Sequence, residues 1–205
     1  SPVLANGRVF LVNDNDEQSF AVPLDAKTGR PIWRVDRDEP SNWATPYIWR
    51  NDQRTELITP GRKKIRSYDL DGKPLWELGG MSSIVIPTPF SRASLLYVSS
   101  GYVGDPVRPV FAIRPGAAGD ITLKPGESTN RFIAWSQPAA GPYNPSPLLY
   151  GDTFYVLFDF GFISAHDARK GTVVDRQHGR RTYTPPFKDS HWQSKGQISA
   201  TAQRS

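Results

Sequence analysis

Short apolar runs, each closed by a turn signal, recur along the chain in a fixed order. Arg8-Val9-Phe10-Leu11-Val12, Glu56-Leu57-Ile58-Thr59, Leu95-Leu96-Tyr97-Val98-Ser99 and Thr153-Phe154-Tyr155-Val156-Leu157 are rich in β-branched and aromatic residues, the composition of strands. A proline phrase precedes each: Ser1-Pro2-Val3, Thr45-Pro46-Tyr47, Thr88-Pro89-Phe90 and Ser146-Pro147-Leu148, with the prolines 44, 43 and 58 residues apart. A third phrase carries a strand into a turn, from Phe20 to Gly29, from Ile65 to Gly72 and from Phe162 to Gly171, with Val110-Phe111-Ala112-Ile113-Arg114 as the cognate in the third repeat. In these turns Asp25, Asp69 and Asp167 cap their own backbone while the glycine takes positive φ. A fourth phrase follows: Pro31-Ile32-Trp33, Pro74-Leu75-Trp76, Ile133-Ala134-Trp135 and Val173-Val174-Asp175. Nowhere do about 12 residues keep helical apolar spacing without a Pro or Gly.

Four strands per unit, repeating about every 43 residues, predict an all-β chain: a β-propeller segment of about four consecutive four-stranded antiparallel blades, forming a partial ring. The blades fall at approximately 1–43, 44–86, 87–145 and 146–178. Residues 179–205 are polar and basic, and read as a divergent tail or the start of a further blade at Thr184-Pro185. A lone blade cannot bury both faces of its sheet, so the recurrent tryptophans, Trp33 and Trp76, are expected as equivalent plugs between neighbouring blades. The third repeat is 15 residues longer than the second, between Arg114 and Trp135, and an enlarged surface hairpin is expected there.

Composition agrees with many short strands: six Trp, eight Tyr, ten Phe, 17 Gly and 19 Pro in 205 residues. There is no Cys, which excludes disulfides and thiolate metal sites. No apolar run approaches the roughly 18 residues of a membrane-spanning helix. Ser1-Pro2-Val3-Leu4 already reads as folded sequence, so a signal peptide is expected upstream or not at all. The net charge of +5 gathers partly at Arg62-Lys63-Lys64 with Arg66, and from Arg169 to Arg181. Solvated turns account for these clusters without a nucleic-acid partner, because stacking aromatics do not alternate with the charges.

The segment Val22-Pro23-Leu24-Asp25-Ala26-Lys27-Thr28-Gly29-Arg30-Pro31-Ile32-Trp33 resembles the repeat of pyrroloquinoline-quinone-type propellers. The resemblance runs from residue 1 to about 177, and Gly101-Tyr102-Val103-Gly104-Asp105 and Pro142 to Pro147 look like its secreted, uncharacterised bacterial group. That family contains quinone-dependent alcohol and glucose dehydrogenases and also non-enzymatic members, among them an outer-membrane assembly lipoprotein. The resemblance implies a periplasmic or secreted protein. It also implies a larger ring, with the missing blades supplied by a longer chain or by self-association. The dehydrogenases hold quinone and calcium with a catalytic Asp and often a disulfide of adjacent Cys. No Asp here matches that motif, so no catalytic residue, metal ligand or cofactor is expected. The expected function is a non-enzymatic scaffold binding a protein or carbohydrate outside the cytoplasm. The alternative is a fragment of a quinone-dependent dehydrogenase, which would take pyrroloquinoline quinone and calcium.

The remaining polar residues change this little. His166 occupies the strand slot of Leu24 and Tyr68, and His178 and His191 have no partners at metal spacing. Asp14-Asn15-Asp16-Glu17 lacks the spacing and glycine of a calcium loop and reads as a hairpin tip. Turns alternate between the two ends of an up-and-down blade, so the Asp25, Asp69 and Asp167 turns share one face. The opposite face collects the irregular loops, where function concentrates. Its candidate ligand-binding residues are Asn42, Trp43, Ser82, Ser83, Tyr102, Tyr143 and Asn144.

Overall fold

The structure, a computed structural model, describes residues 1–178 and the strands at 191–194 and 197–200. The first sheet is β1 (Val3–Ala5), β2 (Arg8–Asn13), β3 (Ser19–Asp25) and β4 (Val35–Arg37); the second is β5 (Tyr47–Arg50), β6 (Thr55–Thr59), β7 (Ile65–Tyr68) and β8 (Pro74–Leu78). The third is β9 (Phe90–Arg92), β10 (Leu95–Ser99), β11 (Val110–Ile113) and β13 (Ile133–Gln137), with β12 (Gly119–Asp120) between the last two in sequence. The fourth is β14 (Leu148–Tyr150), β15 (Thr153–Leu157), β16 (Phe162–Asp167) and β17 (Val173–His178). Each four-strand set runs in sequence order with antiparallel neighbours, and the described residues contain no helix. The first strands lie nearest one another, β1 beside β5 and β5 beside β9, as in a propeller whose inner strands ring an axis. Tyr47 and Ser91 join two of them, hydroxyl to hydroxyl, at 3.0 Å. A hairpin of β18 (His191–Ser194) and β19 (Gln197–Ala200) follows; the rest of the tail predicted at 179–205, with Thr184-Pro185, lies outside the described residues.

The core lies between the sheets. Phe10, Ile48, Leu57 and Tyr68 fill the first junction; Trp49, Ile58, Leu96, Val98 and Phe111 fill the second; Tyr97, Trp135, Phe154 and Val156 fill the third. Leu57 and Ile58 are adjacent in β6 yet face opposite junctions, as Leu96 and Tyr97 do in β10. A strand buried on both faces loses polar alternation and reads as an unbroken apolar run, which is why β6 and β10 stood out. The first sheet has no described neighbour on its other side. There the pairs Leu4–Val9, Val9–Leu24 and Leu11–Val22 form an apolar face, with Leu4 66% exposed.

The turn chemistry is as read. Asp25 accepts the Lys27 and Thr28 amides at 3.0 and 2.7 Å, and those from Thr28 above all hold its carboxyl below the usual range. Asp167 accepts the Arg169 and Lys170 amides at 2.9 and 2.8 Å, and Asp69 those of Asp71 and Lys73, both at 2.9 Å. Two of these turn glycines, Gly72 and Gly171, serve the neighbouring blade. Trp33 covers Gly72 and donates Nε1 to the Leu70 carbonyl at 2.9 Å; Trp135 covers Gly171 and donates to the Ala168 carbonyl at 2.9 Å.

Two expectations need correction. Trp76 is not equivalent to Trp33. The third repeat lacks the Asp-to-Gly turn that would receive its indole, and Trp76 instead donates to the carboxylate of Glu56 in its own sheet at 2.7 Å. Glu56 is wholly buried and also accepts Ser67 Oγ at 2.6 Å and Asn51 Nδ2 and Arg54 Nε at 3.0 Å. Nor is the third-repeat insertion a surface hairpin. It crosses to the second sheet, where β12 pairs parallel with β8, Gly119 opposite Trp76 and Asp120 opposite Glu77. Ala117 and Ile121 enter the second junction beside Trp76 and are almost fully buried. The second sheet therefore has five strands, and the insertion packs into the second junction through Ala117 and Ile121.

Candidate functional site

The connectors between sheets meet the loops between second and third strands, so both lie at one end of the sheets. The Asp turns lie at the other end, beside the turns between first and second strands: Ala26 donates to the Gly7 carbonyl at 2.8 Å and Ala168 to that of Asp152 at 2.9 Å. At the loop end a carboxylate pins each connector. Asp14, after β2, holds Asn42 Nδ2. Asp105, after β10, accepts Ser82 Oγ at 2.6 Å and the Ser83 amide at 2.5 Å. Asp159, after β15, accepts Asn144 Nδ2 at 2.7 Å and the Tyr143 amide at 3.2 Å. Such bonds to charged acceptors are among the stronger ones in proteins.

Asn42 is thus a structural side chain, with a second contact to the Pro60 carbonyl at 3.3 Å and its own Oδ1 taking the Ala44 amide at 3.1 Å. The pin is itself anchored: Asp14 takes Arg37 Nε and Nη2 at 2.8 and 3.0 Å, with both side chains buried. Burial works against the Arg37 charge, but Asp14 outweighs it and raises the Arg37 pKa. Asp14 is therefore turned inward, while Asp16 accepts the Ser41 amide at 3.0 Å, which keeps its carboxyl below the usual range.

Ser82 is buried and Ser83 half-buried; Ser82 accepts the Tyr102 amide at 2.7 Å. Burial pulls the Asp105 pKa up, yet the bonds from Ser82 and Ser83 outweigh it and leave the carboxyl below its ordinary value. Tyr102 and Tyr143 meet edge to face, centroids 5.4 Å apart and planes at 68°. Beneath them the backbones of Gly101 and Gly141 touch: a Cβ on Gly101 would lie 2.2 Å from the Gly141 oxygen. Five candidates, Ser82, Ser83, Tyr102, Tyr143 and Asn144, therefore form one pinned patch. Trp43 joins its edge through a backbone bond to the Val85 carbonyl at 3.2 Å. Its indole does not plug a junction, since it is 61% exposed. A groove of about 510 Å³ beside the patch is lined by Pro40, Arg62, Lys63, Met81, Ser82 and Asp105 among others.

Sequence reasoning missed the three pins. Each lies in the loop that follows a second strand, but each finds its partner 15 to 28 residues away, beyond any local motif. The basic cluster at 62–66 is largely neutralised: Lys63 pairs with Asp38 at 2.5 Å, Lys64 with Glu77, and Arg66 with Glu39. His166 is buried, bonded to Ser164 Oγ at 2.9 Å and edge-on to Phe154. Burial pushes its pKa below the ordinary value, the Gly171 carbonyl opposing and Arg176 adding to the shift. Of His178 and His191 only the backbone is described. Among the described residues no three His, Asp or Glu converge as a metal site, and no helix is long and apolar enough to cross a membrane.

No protein-family model and no curated protein matches the sequence. Solved structures do match. BamB from Moraxella catarrhalis superposes with a TM-score of 0.59 at 13% identity, over 98% of this chain and 53% of that one. The computationally designed Ika8 protein gives 0.64 at 12% identity, over 98% and 54%. A quinohemoprotein alcohol dehydrogenase from Pseudomonas putida gives 0.64 at 13% identity, over 97% and 37%. The chain spans 54% or less of each of these structures. At such identities the likeness shows the fold alone, an open run of β-propeller blades similar to those of BamB and the quinoprotein dehydrogenases.

Proposed function

We propose that the protein is a non-enzymatic propeller scaffold that binds a partner protein outside the cytoplasm through its loop face, without a cofactor. The observation that carries this reading is the exposed Trp43 indole on a connector whose preceding residue, Asn42, is fixed by a buried ion pair. A large ring held on a rigid backbone forfeits little conformational entropy on binding, and Trp and Tyr dominate interface hot spots. Tyr102, Tyr143 and the groove at Arg62 supply a mixed apolar and polar surround of the kind an interface core and rim require. The likeness to BamB and to quinoprotein dehydrogenases supports the extracytoplasmic placement.

A photo-crosslinking residue placed at position 43, and separately at Lys27 on the opposite face, tests the reading in the producing cell. Crosslinks to one defined protein from position 43 and none from position 27 are expected. The reverse pattern would move the site to the turn face. Binding to an oligosaccharide array, lost on Trp43→Ala, would instead identify a glycan partner.

A second reading, a segment of a quinone-dependent dehydrogenase, draws on the fold shared with those enzymes. Against it, the recurrent Asp residues of this segment are spent on their own turns. Dye reduction after reconstitution with pyrroloquinoline quinone and calcium would establish it.

A further inference from the structure

Arg108 and Arg176 line a cavity of about 570 Å³ between the third and fourth sheets. Arg108 is half-buried and Arg176 exposed, whereas the more deeply buried arginines Arg37 and Arg66 are neutralised. At the junction of the first and second sheets Arg37 is held by Asp14, and Arg66 by Glu39 and Glu77. At the third junction no acidic residue lines the cavity. Arg108 Nε is buried and has no hydrogen-bond partner among the described residues. A buried polar atom left unpaired is costly, and native structures rarely keep one without a purpose.

The remaining walls are mostly apolar and aromatic, with the Gln137 amide among them, its Nε2 donating to the Gly171 carbonyl at 2.7 Å. Phe160 stands at the rim, 68% exposed, with Phe162 beside it, and His166 contributes a polar point that Ser164 fixes. The volume suits a side chain or small ligand with an apolar body. Phe158 and Phe160 flank Asp159, the pin of Tyr143 and Asn144, so the cavity lies at the loop end of the fourth sheet. We propose that it binds a carboxylate carried on an apolar body, presented as an acidic residue flanked by aromatic residues in an extended segment of the partner protein. The carboxylate supplies the anionic partner that neither guanidinium finds among the cavity's lining residues, in the paired geometry guanidinium favours, and the flanking rings pack on the phenylalanine rim. This inference rests on the reading of the loop face as a protein-binding surface.

The probe is the peptide acetyl-Phe-Glu-Phe-amide, with acetyl-Phe-Gln-Phe-amide as its neutral counterpart and phenylacetate as a free carboxylate, each titrated into ¹⁵N-labelled protein. The glutamate peptide is expected to shift the Arg108, Phe160 and His166 amide resonances and to bind at least tenfold tighter than the other two. Arg108→Met and Arg176→Met should each weaken it at least tenfold. Arg108→Met should leave the melting temperature unchanged or raise it, because it removes the unpaired nitrogen. Equal binding of the two peptides, or undiminished binding by both variants, overturns the proposal. Phenylacetate binding as tightly as the peptide would overturn the assignment to a protein segment. Trp43→Ala should bind the peptide normally; if the peptide fails while Trp43→Ala still abolishes partner binding, the cavity inference falls and the loop-face reading stands.

Discussion

Trp135 lies so close over Gly171 that a Cβ on the glycine would sit 2.5 Å from the indole Cδ2. The tryptophan belongs to the third sheet and the glycine to the fourth, so this contact joins two blades. The Ala168 carbonyl completes it, accepting Trp135 Nε1 at 2.9 Å and the Tyr97 hydroxyl at 3.0 Å. Burial, with the nearby Asp167 charge, pushes that hydroxyl's pKa up to about 12, so Tyr97 remains a donor throughout the working pH range. Trp33 and Gly72 repeat the arrangement one junction before the insertion.

Trp135→Ala should therefore cost about 3–5 kcal/mol. Gly171→Ala should also destabilise strongly, because the glycine has φ +71° as well as the ring above it. Urea midpoints measure both. A Gly171→Ala protein as stable as the parent would show that the indole can move aside.

Ile121 distinguishes a buried insertion from a surface hairpin. Its side chain is 1% exposed in the second junction. Ile121→Ala should cost about 2–5 kcal/mol, whereas Val103→Ala, on the exposed 101–106 loop, should fall within about 0.5 kcal/mol of the parent. Thermal or urea unfolding of the two variants gives the comparison.

The depressed His166 pKa sets a direction for pH. As pH falls below the ordinary histidine value near 6.5, the unfolded chain takes up the proton before the folded one does. His166 should thus leave stability intact above that value and erode it as pH drops further toward the folded pKa. His166→Tyr, which restores the residue of the second repeat, should lose less stability than the parent between pH 7.5 and 5. Equal losses by urea titration would remove His166 as the source.

The apolar face of the first sheet should promote association of the 205-residue chain. Leu4, opposite Val9, is 66% exposed on it. Light scattering should report species larger than a monomer, reduced by Leu4→Lys; a monodisperse monomer for the parent would contradict this.

Much of the fold was legible because its determinants are local. The Asp25, Asp69 and Asp167 turns need only neighbouring residues, and β6 and β10 announce themselves by burial on both faces. What escaped depends on distant partners. Nothing near Trp76 says that the next repeat lacks a receiving turn, and nothing in Gly116 to Thr122 says that it will pair parallel with β8. The candidate residues do gather at the loop end of the blades, but the polar ones among them proved to be braces. Asn42, Ser82 and Asn144 spend their side chains on Asp14, Asp105 and Asp159. Trp43 carried no sequence signal separating it from a junction plug; its 61% exposure is a property of the folded connector.

The most direct test of the loop-face account is the affinity of Trp43→Ala for the protein captured from position 43, measured by isothermal titration with purified components. The account predicts at least a tenfold loss, about 1.4 kcal/mol or more, with the melting temperature unchanged because the exposed indole fills no junction. Undiminished affinity for Trp43→Ala would contradict it.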